Sequence, residues 1–204
     1  MNDTILYYVH DPMCSWCWGF RPTWTQVCEA LDDQLEIRYV VGGLAPDSDA
    51  PMPEAMQQML QQTWRTIQER IPGTEFNFDF WTQCRPRRST YPACRAVLAA
   101  KAQDPDKERL MIAGIQQAYY LHAKNPSDDE VLIEIAGMAG LNTNQFAEDL
   151  NSDATHTQMH ADFSLGQQLG AQGFPSMILV ENGRGRMLRL DYNSADNILS
   201  QVAA

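Results

Sequence analysis

Apolar positions fall into short β-like bursts at the two ends of the chain and into helical stripes through its middle. Ile5, Leu6, Tyr7, Tyr8 and Val9 predict a short strand, stopped by Asp11-Pro12. Trp24, Val27, Cys28 and Leu31 are spaced for one buried helix face, which predicts a helix from about Cys14 to Leu31. Pro22 lies inside it and removes one backbone donor, so a kink is expected there. Leu35, Ile37, Tyr39, Val40 and Val41 predict a second strand that ends at Gly42-Gly43. Strand, helix and strand joined this tightly form a βαβ unit, and such a unit demands a parallel sheet.

From Ala45 the pattern changes. APDSDAPMP reads as a loop, and Met56, Leu60, Trp64, Ile67 and Ile71 then make a helical stripe ended by Pro72-Gly73. An aromatic connection through Phe76, Phe78, Phe80 and Trp81 leads to a helix near 91–102, capped by Ser89 or Thr90. Asp104-Pro105 opens the next, to about Ala123, with proline in a tolerated first-turn position. Ser127-Asp-Asp-Glu130 has the spacing of a capping box before a helix stopped by Gly140. Asn142 is expected to cap a short helix to Leu150, and Ser152 or Asp153 to begin one running to about Leu169. Strands are expected at Met177–Val180 and Met187–Leu190, joined by an Asn182-Gly183 hairpin turn, and Asn193 or Ser194 caps a last helix. The order is therefore βαβ, a block of helices, then αββα. This is an α/β chain whose sheet domain (1–45 and 152–204) is interrupted by an all-helical insertion (46–151).

Composition narrows the function. The chain has 204 residues, 44% hydrophobic and 20% charged, as an ordinary globular protein does. A net charge of -11 repels phosphate backbones and anionic lipid, so neither nucleic acid nor membrane is an expected partner. The first residues lack the basic and apolar segments of a signal peptide, and a cytoplasmic location is expected. Five cysteines are an odd number, which fits a reducing compartment better than a structural disulfide framework.

Cys14-Ser-Trp-Cys17 carries the candidate chemistry because it sits where the first strand runs into its helix. Unpaired backbone N–H groups at a helix start favour a thiolate over a thiol. The second cysteine, three residues on, lies one turn deeper on the same face, close enough to close a disulfide ring. Cys14 is then the attacking thiol and Cys17 the one that resolves the mixed disulfide. A zinc site would need two more ligands. His156 and His160 have helical spacing, but nothing in the sequence brings them to the cysteines, and no metal is expected.

Gly173-Phe-Pro-Ser176 runs straight into the strand 177–180 and its hairpin. The run GFPSMILVENGRGRMLRL resembles the cis-proline strand and hairpin of thioredoxins, and the CSWC helix with Pro22 resembles them as well. Their wide separation is similar to that of the DsbA-like branch, which fills the gap with helices. DPMCSWCWGFRP and YPACRAVLAA resemble the predicted cytoplasmic protein-disulfide isomerases related to FrnE. The resemblance implies a thioredoxin fold, a Cys14–Cys17 redox pair and a cis Pro175 packed against it. It also implies a Phe174 backbone that pairs with extended substrate, beside Trp16. The implied activity is thiol–disulfide oxidoreductase or protein disulfide isomerase, acting on protein or small-molecule disulfides and thiols. No resident cofactor is implied, and glutathione is a candidate co-substrate.

Reductase, isomerase and oxidase directions remain open at this point, as does the oligomeric state. So do two rival classes: a glutathione-dependent isomerase or transferase of the kappa type, and a non-catalytic peptide-binding chaperone module. Kappa-type relatives rely on a single activating group, usually serine, at the first position, so a cysteine pair favours disulfide chemistry. Cys28 reads as core, and Cys94 as a buried side chain or an extra redox thiol. Arg85, Arg87 and Arg88 read as loop charge or a carboxylate-binding run, and Met52, Met56 and Met59 as packing or a peptide contact. His10 and Asp11 adjoin the CxxC loop and are candidate proton relays.

Overall fold

The computed structural model describes residues 4–203. Strand β1 (Thr4–His10) leads into helix α1 (Ser15–Leu31) and strand β2 (Glu36–Val41). Helices α2 (Glu54–Arg70), α3 (Phe80–Gln83), α4 (Tyr91–Gln103), α5 (Glu108–Tyr120), α6 (Asp129–Met138) and α7 (Thr143–Leu150) follow. Helix α8 (Asp153–Gln168), strands β3 (Ser176–Glu181) and β4 (Arg184–Leu188) and helix α9 (Asp196–Val202) complete the chain.

The strands form one sheet in the order β2-β1-β3-β4. β1 pairs in parallel with β2 (Tyr8 opposite Tyr39) and antiparallel with β3 (Val9 opposite Ser176). With neighbours on both edges and helices on both faces, the second half of β1 is buried on either side. That explains why it reads as a continuous apolar run and not as an alternation. One face of the sheet shares a continuous core with α1 and the helical block, from Leu6 and Phe20 through Trp64 and Tyr120 to Phe146. The other face, with Tyr7, Val9, Val40 and Ile178, is covered by Leu165 and Leu169 of the α8 segment. The fold class is thus α/β, with a four-stranded sheet of thioredoxin type.

The hairpin between β3 and β4 is a two-residue turn with Asn182 and Gly183 both at positive φ (51° and 76°), as a type I′ turn requires. This tight turn starts β4 at Arg184, earlier than the apolar run 187–190 suggested. Three other local expectations are corrected. No capping box forms at Ser127: its hydroxyl donates to the Ser89 carbonyl at 2.6 Å, and the N-cap is Asp128. Thr90 is the N-cap of α4, but its hydroxyl donates to Asp11 instead of capping the helix. The segment after Asp104 begins as a 3₁₀ turn, Pro105–Lys107, and α5 ends at Tyr120. Asn142 and Ser152 do cap α7 and α8 through their side chains. No helix among the described residues is long and apolar enough to cross a membrane.

His10 is wholly buried, stacked on Tyr8 and edge-on to Tyr39, and neither ring nitrogen has a hydrogen-bond partner among the described residues. A sealed imidazole without partners does not relay protons. Burial, with a smaller push from Lys101, lowers its pKa from 6.5 to about 3. Between these values the unfolded chain binds the extra proton and the folded chain does not, so stability falls as the pH drops through that window. At about pH 5 the loss is roughly 2 kcal/mol. His10→Phe, which keeps a ring in the same slot, is expected to lose less stability than the parent between about pH 7 and 5 in denaturant titrations.

Candidate active site

Cys14 is the N-cap of α1 and is held by its own N–H, which donates to the Asp11 carbonyl at 3.0 Å. Its thiol donates to the Phe174 carbonyl at 3.4 Å, a contact between residues 160 apart in sequence. Register explains the meeting. Val9 lies opposite Ser176, so the loop leaving β1 and the residues entering β3 emerge at the same end of the sheet. The Phe174–Pro175 peptide is cis, and Pro175 is buried. Phe174 itself is half-buried, and its ring lies against the backbone of Gly42, where any Cβ would collide with it.

Cys17 follows one turn into α1 and is 1% exposed. Burial, then the neighbouring Cys14 thiol, pushes its pKa well above the ordinary value. None of the five cysteines is joined to another. Trp16 is half-buried and meets the Tyr192 ring edge-on at 5.5 Å. Trp18 stacks on Tyr120 at 5.5 Å, and the Tyr120 hydroxyl donates to the Met13 carbonyl at 2.7 Å. Aromatic rings therefore flank the CxxC segment on two sides, Tyr120 from the helical block and Tyr192 from the C-terminal segment.

The sequence did not reveal the role of Asp11. Asp11-Pro12 reads as a strand stop, yet the buried carboxylate gathers donors from three segments. Oδ1 accepts the Met13 N–H at 2.7 Å, and Oδ2 accepts the Leu44 N–H and the Thr90 hydroxyl, each at 2.7 Å. The Cys94 thiol also points to Oδ2, at 3.8 Å. Burial raises the Asp11 pKa against these bonds, which lower it. Cys94 is fully buried and pushed up by desolvation and then by Asp11, so it is an inert wall of this cluster.

Other candidates fall elsewhere. Arg87 is committed to Asp128 at 2.7 Å, and Cys28 packs in the core beside the Tyr39 hydroxyl at 3.6 Å. Met52 is buried, Met56 half-buried and Met59 exposed. His160 of α8 packs edge-on against Phe163. Among the described residues no three His, Cys, Asp or Glu side chains are grouped to hold a metal.

The family model described as Thioredoxin matches residues 7–197. The chain belongs to that family. Among solved structures it is similar to the cytosolic disulfide reductase DsbM of Pseudomonas aeruginosa, with a TM-score of 0.80 and 26% identity over 98% of this chain and 97% of that one. DsbM is also known in a structure with GSH, similar at a TM-score of 0.77. A candidate protein disulfide isomerase of Nitrosomonas europaea shares the fold at a TM-score of 0.86, with 24% identity over 98% and 96% of the two chains. The fold is thus that of the DsbA-like oxidoreductases. Among curated proteins the chain is 24% identical to the ClpXP adapter protein SpxH of Halalkalibacterium halodurans, over 87% of this chain and 58% of that protein. It spans a little over half the length of the curated relatives it matches.

Removing the Asp11 carboxylate would strand the Met13 and Leu44 N–H groups and leave the Thr90 hydroxyl only its longer bond to the Ala45 carbonyl, at 3.4 Å. Each buried donor so stranded costs about 1–3 kcal/mol. Asp11→Ala is therefore expected to lower stability by about 3 kcal/mol or more in urea titration. Gly42→Ala should cost about 1–3 kcal/mol through overpacking against Phe174.

Proposed function

We propose that this protein is a cytoplasmic thiol–disulfide oxidoreductase working through Cys14 and Cys17. The contact of the Cys14 thiol with the Phe174 carbonyl, ahead of a buried Cys17, is the observation that carries the reading. It sets an attacking sulfur at a helix start beside an extended backbone segment, where a substrate strand can lie. The Cys14 thiolate attacks one sulfur of a substrate disulfide and releases the other as a thiolate. Cys17 then attacks Cys14 and frees the second sulfur, leaving Cys14–Cys17 oxidised and the substrate reduced. Substrates are protein or small-molecule disulfides, gripped beside Trp16, Phe174 and Pro175. Similarity to DsbM favours reduction as the direction, with glutathione as the thiol that regenerates the pair. On this reading 46–151 is a helical insertion that frames the site, and the sheet domain supplies both thiols and the proline strand.

A second reading is binding without redox chemistry, favoured by the similarity to ClpXP adapters. Cys14→Ser separates the two. Disulfide exchange requires its reductase activity on a protein disulfide, with glutathione present, to fall to the uncatalysed rate, whereas an adapter keeps binding its partner. Cys17→Ser is expected to accumulate mixed disulfides with substrates, seen as dithiothreitol-sensitive bands on non-reducing gels. An absence of any trapped species would overturn the oxidoreductase reading.

A further inference from the structure

The Gly42-Gly43 turn that ends β2 lies at the same end of the sheet as Cys14. Val41 is opposite His10, and the Gly42 N–H donates to the His10 carbonyl at 2.7 Å. Both glycines are half-buried, and aromatic rings take the room that side chains would need there. A Cβ on Gly42 would collide with the Phe174 ring, and one on Gly43, at φ 65°, with the rings of Phe163 and Tyr91. Phe163, from α8, and Tyr91, from the start of α4, lie 5.0 Å apart between centroids. The exposed His160 packs edge-on against Phe163 at 5.7 Å. Rings from three segments thus follow one another over two successive residues, and Phe174 opens the series with its carbonyl on the Cys14 thiol at 3.4 Å. All three rings are only half-buried, whereas Phe20 and Phe146, which close the core, are 0% exposed. Leu44, next in the chain, is 37% exposed. The strip of Phe174, Phe163, Tyr91 and Leu44 holds no charged group, although the chain carries a net charge of -11.

We propose that this strip is a side-chain subsite for protein substrates, selecting a disulfide whose cysteine has a large apolar residue two positions away. The inference rests on the disulfide-exchange reading and names the substrate class of that same site. A substrate strand paired with the Phe174 carbonyl presents residues two apart on one face, about 7 Å from each other. With the substrate sulfur at Cys14, the residue two positions away reaches past Phe174 toward Phe163 and Tyr91. A phenyl or leucyl side chain there removes apolar surface from water, on both itself and the rings, that a serine leaves exposed. Glutathione has no such side chain and gains nothing from the strip. Phe163 is thus a specificity residue: it bears on which disulfide is held and has no part in the sulfur chemistry.

The test uses two peptide disulfides of equal length and charge, with Phe or with Ser two residues to either side of the cysteine. Each is mixed with the reduced full-length protein, and release of the thiol peptide is followed by chromatography. The Phe peptide is expected to react roughly tenfold faster or more. In Phe163→Ser its rate should fall to within about twofold of the Ser peptide's, while Phe163→Leu, which keeps an apolar side chain, retains most of the preference. His160→Asp, an exposed change that sets a carboxylate beside the Phe163 ring, should lower the preference as well. Parent rates within about twofold of each other would overturn the proposal. So would a preference that survives both Phe163→Ser and His160→Asp, or a Phe163→Ser variant that slows both peptides alike, the mark of a support for the fold. If the parent reduces neither peptide, the disulfide-exchange reading fails, and the subsite with it.

Discussion

The Asp11 carboxylate is the constraint on which the site depends. The loop between β1 and α1 must turn sharply so that Cys14 begins a helix with its thiol at the Phe174 carbonyl. Oδ1 fixes the loop from inside through Met13, and Oδ2 fixes it from outside through Leu44 and Thr90. These donors come from the loop between β1 and α1, the segment after β2 and the N-cap residue of α4 in the helical block. A single buried acid thereby locks the thiols to the sheet and to the inserted helices together. Its own burial is unfavourable, and the donors it gathers offset much of that.

The aromatic residues act at a second level. Trp24 lies on Tyr8 at 4.2 Å and donates its indole N–H to the Tyr39 hydroxyl at 3.0 Å, tying α1 to both parallel strands. Tyr120 ties α5 to the loop before Cys14, and Tyr192 ties the C-terminal segment to α1 through Trp16 and Phe20. The helical block and the sheet therefore share one core around the thiols. Strain introduced in either part reaches the other through packed rings, since close-packed interiors transmit displacement.

Much of this architecture was legible in the sequence. The strand runs, the apolar stripes of α1, α2 and α8, and the Asn182-Gly183 turn act through local periodicity and local backbone preference. Their effect does not depend on distant residues. The legible part of the site was the cysteine pair and the proline strand, because both belong to patterned runs. β1 does stop at Asp11 and Thr90 is the N-cap of α4, but the local pattern hid the bonds that the side chains of Asp11, Thr90 and Ser127 make across the fold, and no capping box forms at Ser127.

The contact between Cys14 and Phe174 also bears on how the protein is made. The two residues leave a ribosome about ten to thirty seconds apart at ordinary rates of synthesis. During that interval the thiols are present and chemically competent, while the strand that shields Cys14 does not yet exist. Selection in a cell then acts on the nascent chain as well as on the folded protein. A premature partner captured by Cys14 would have to be displaced before β3 can dock against β1.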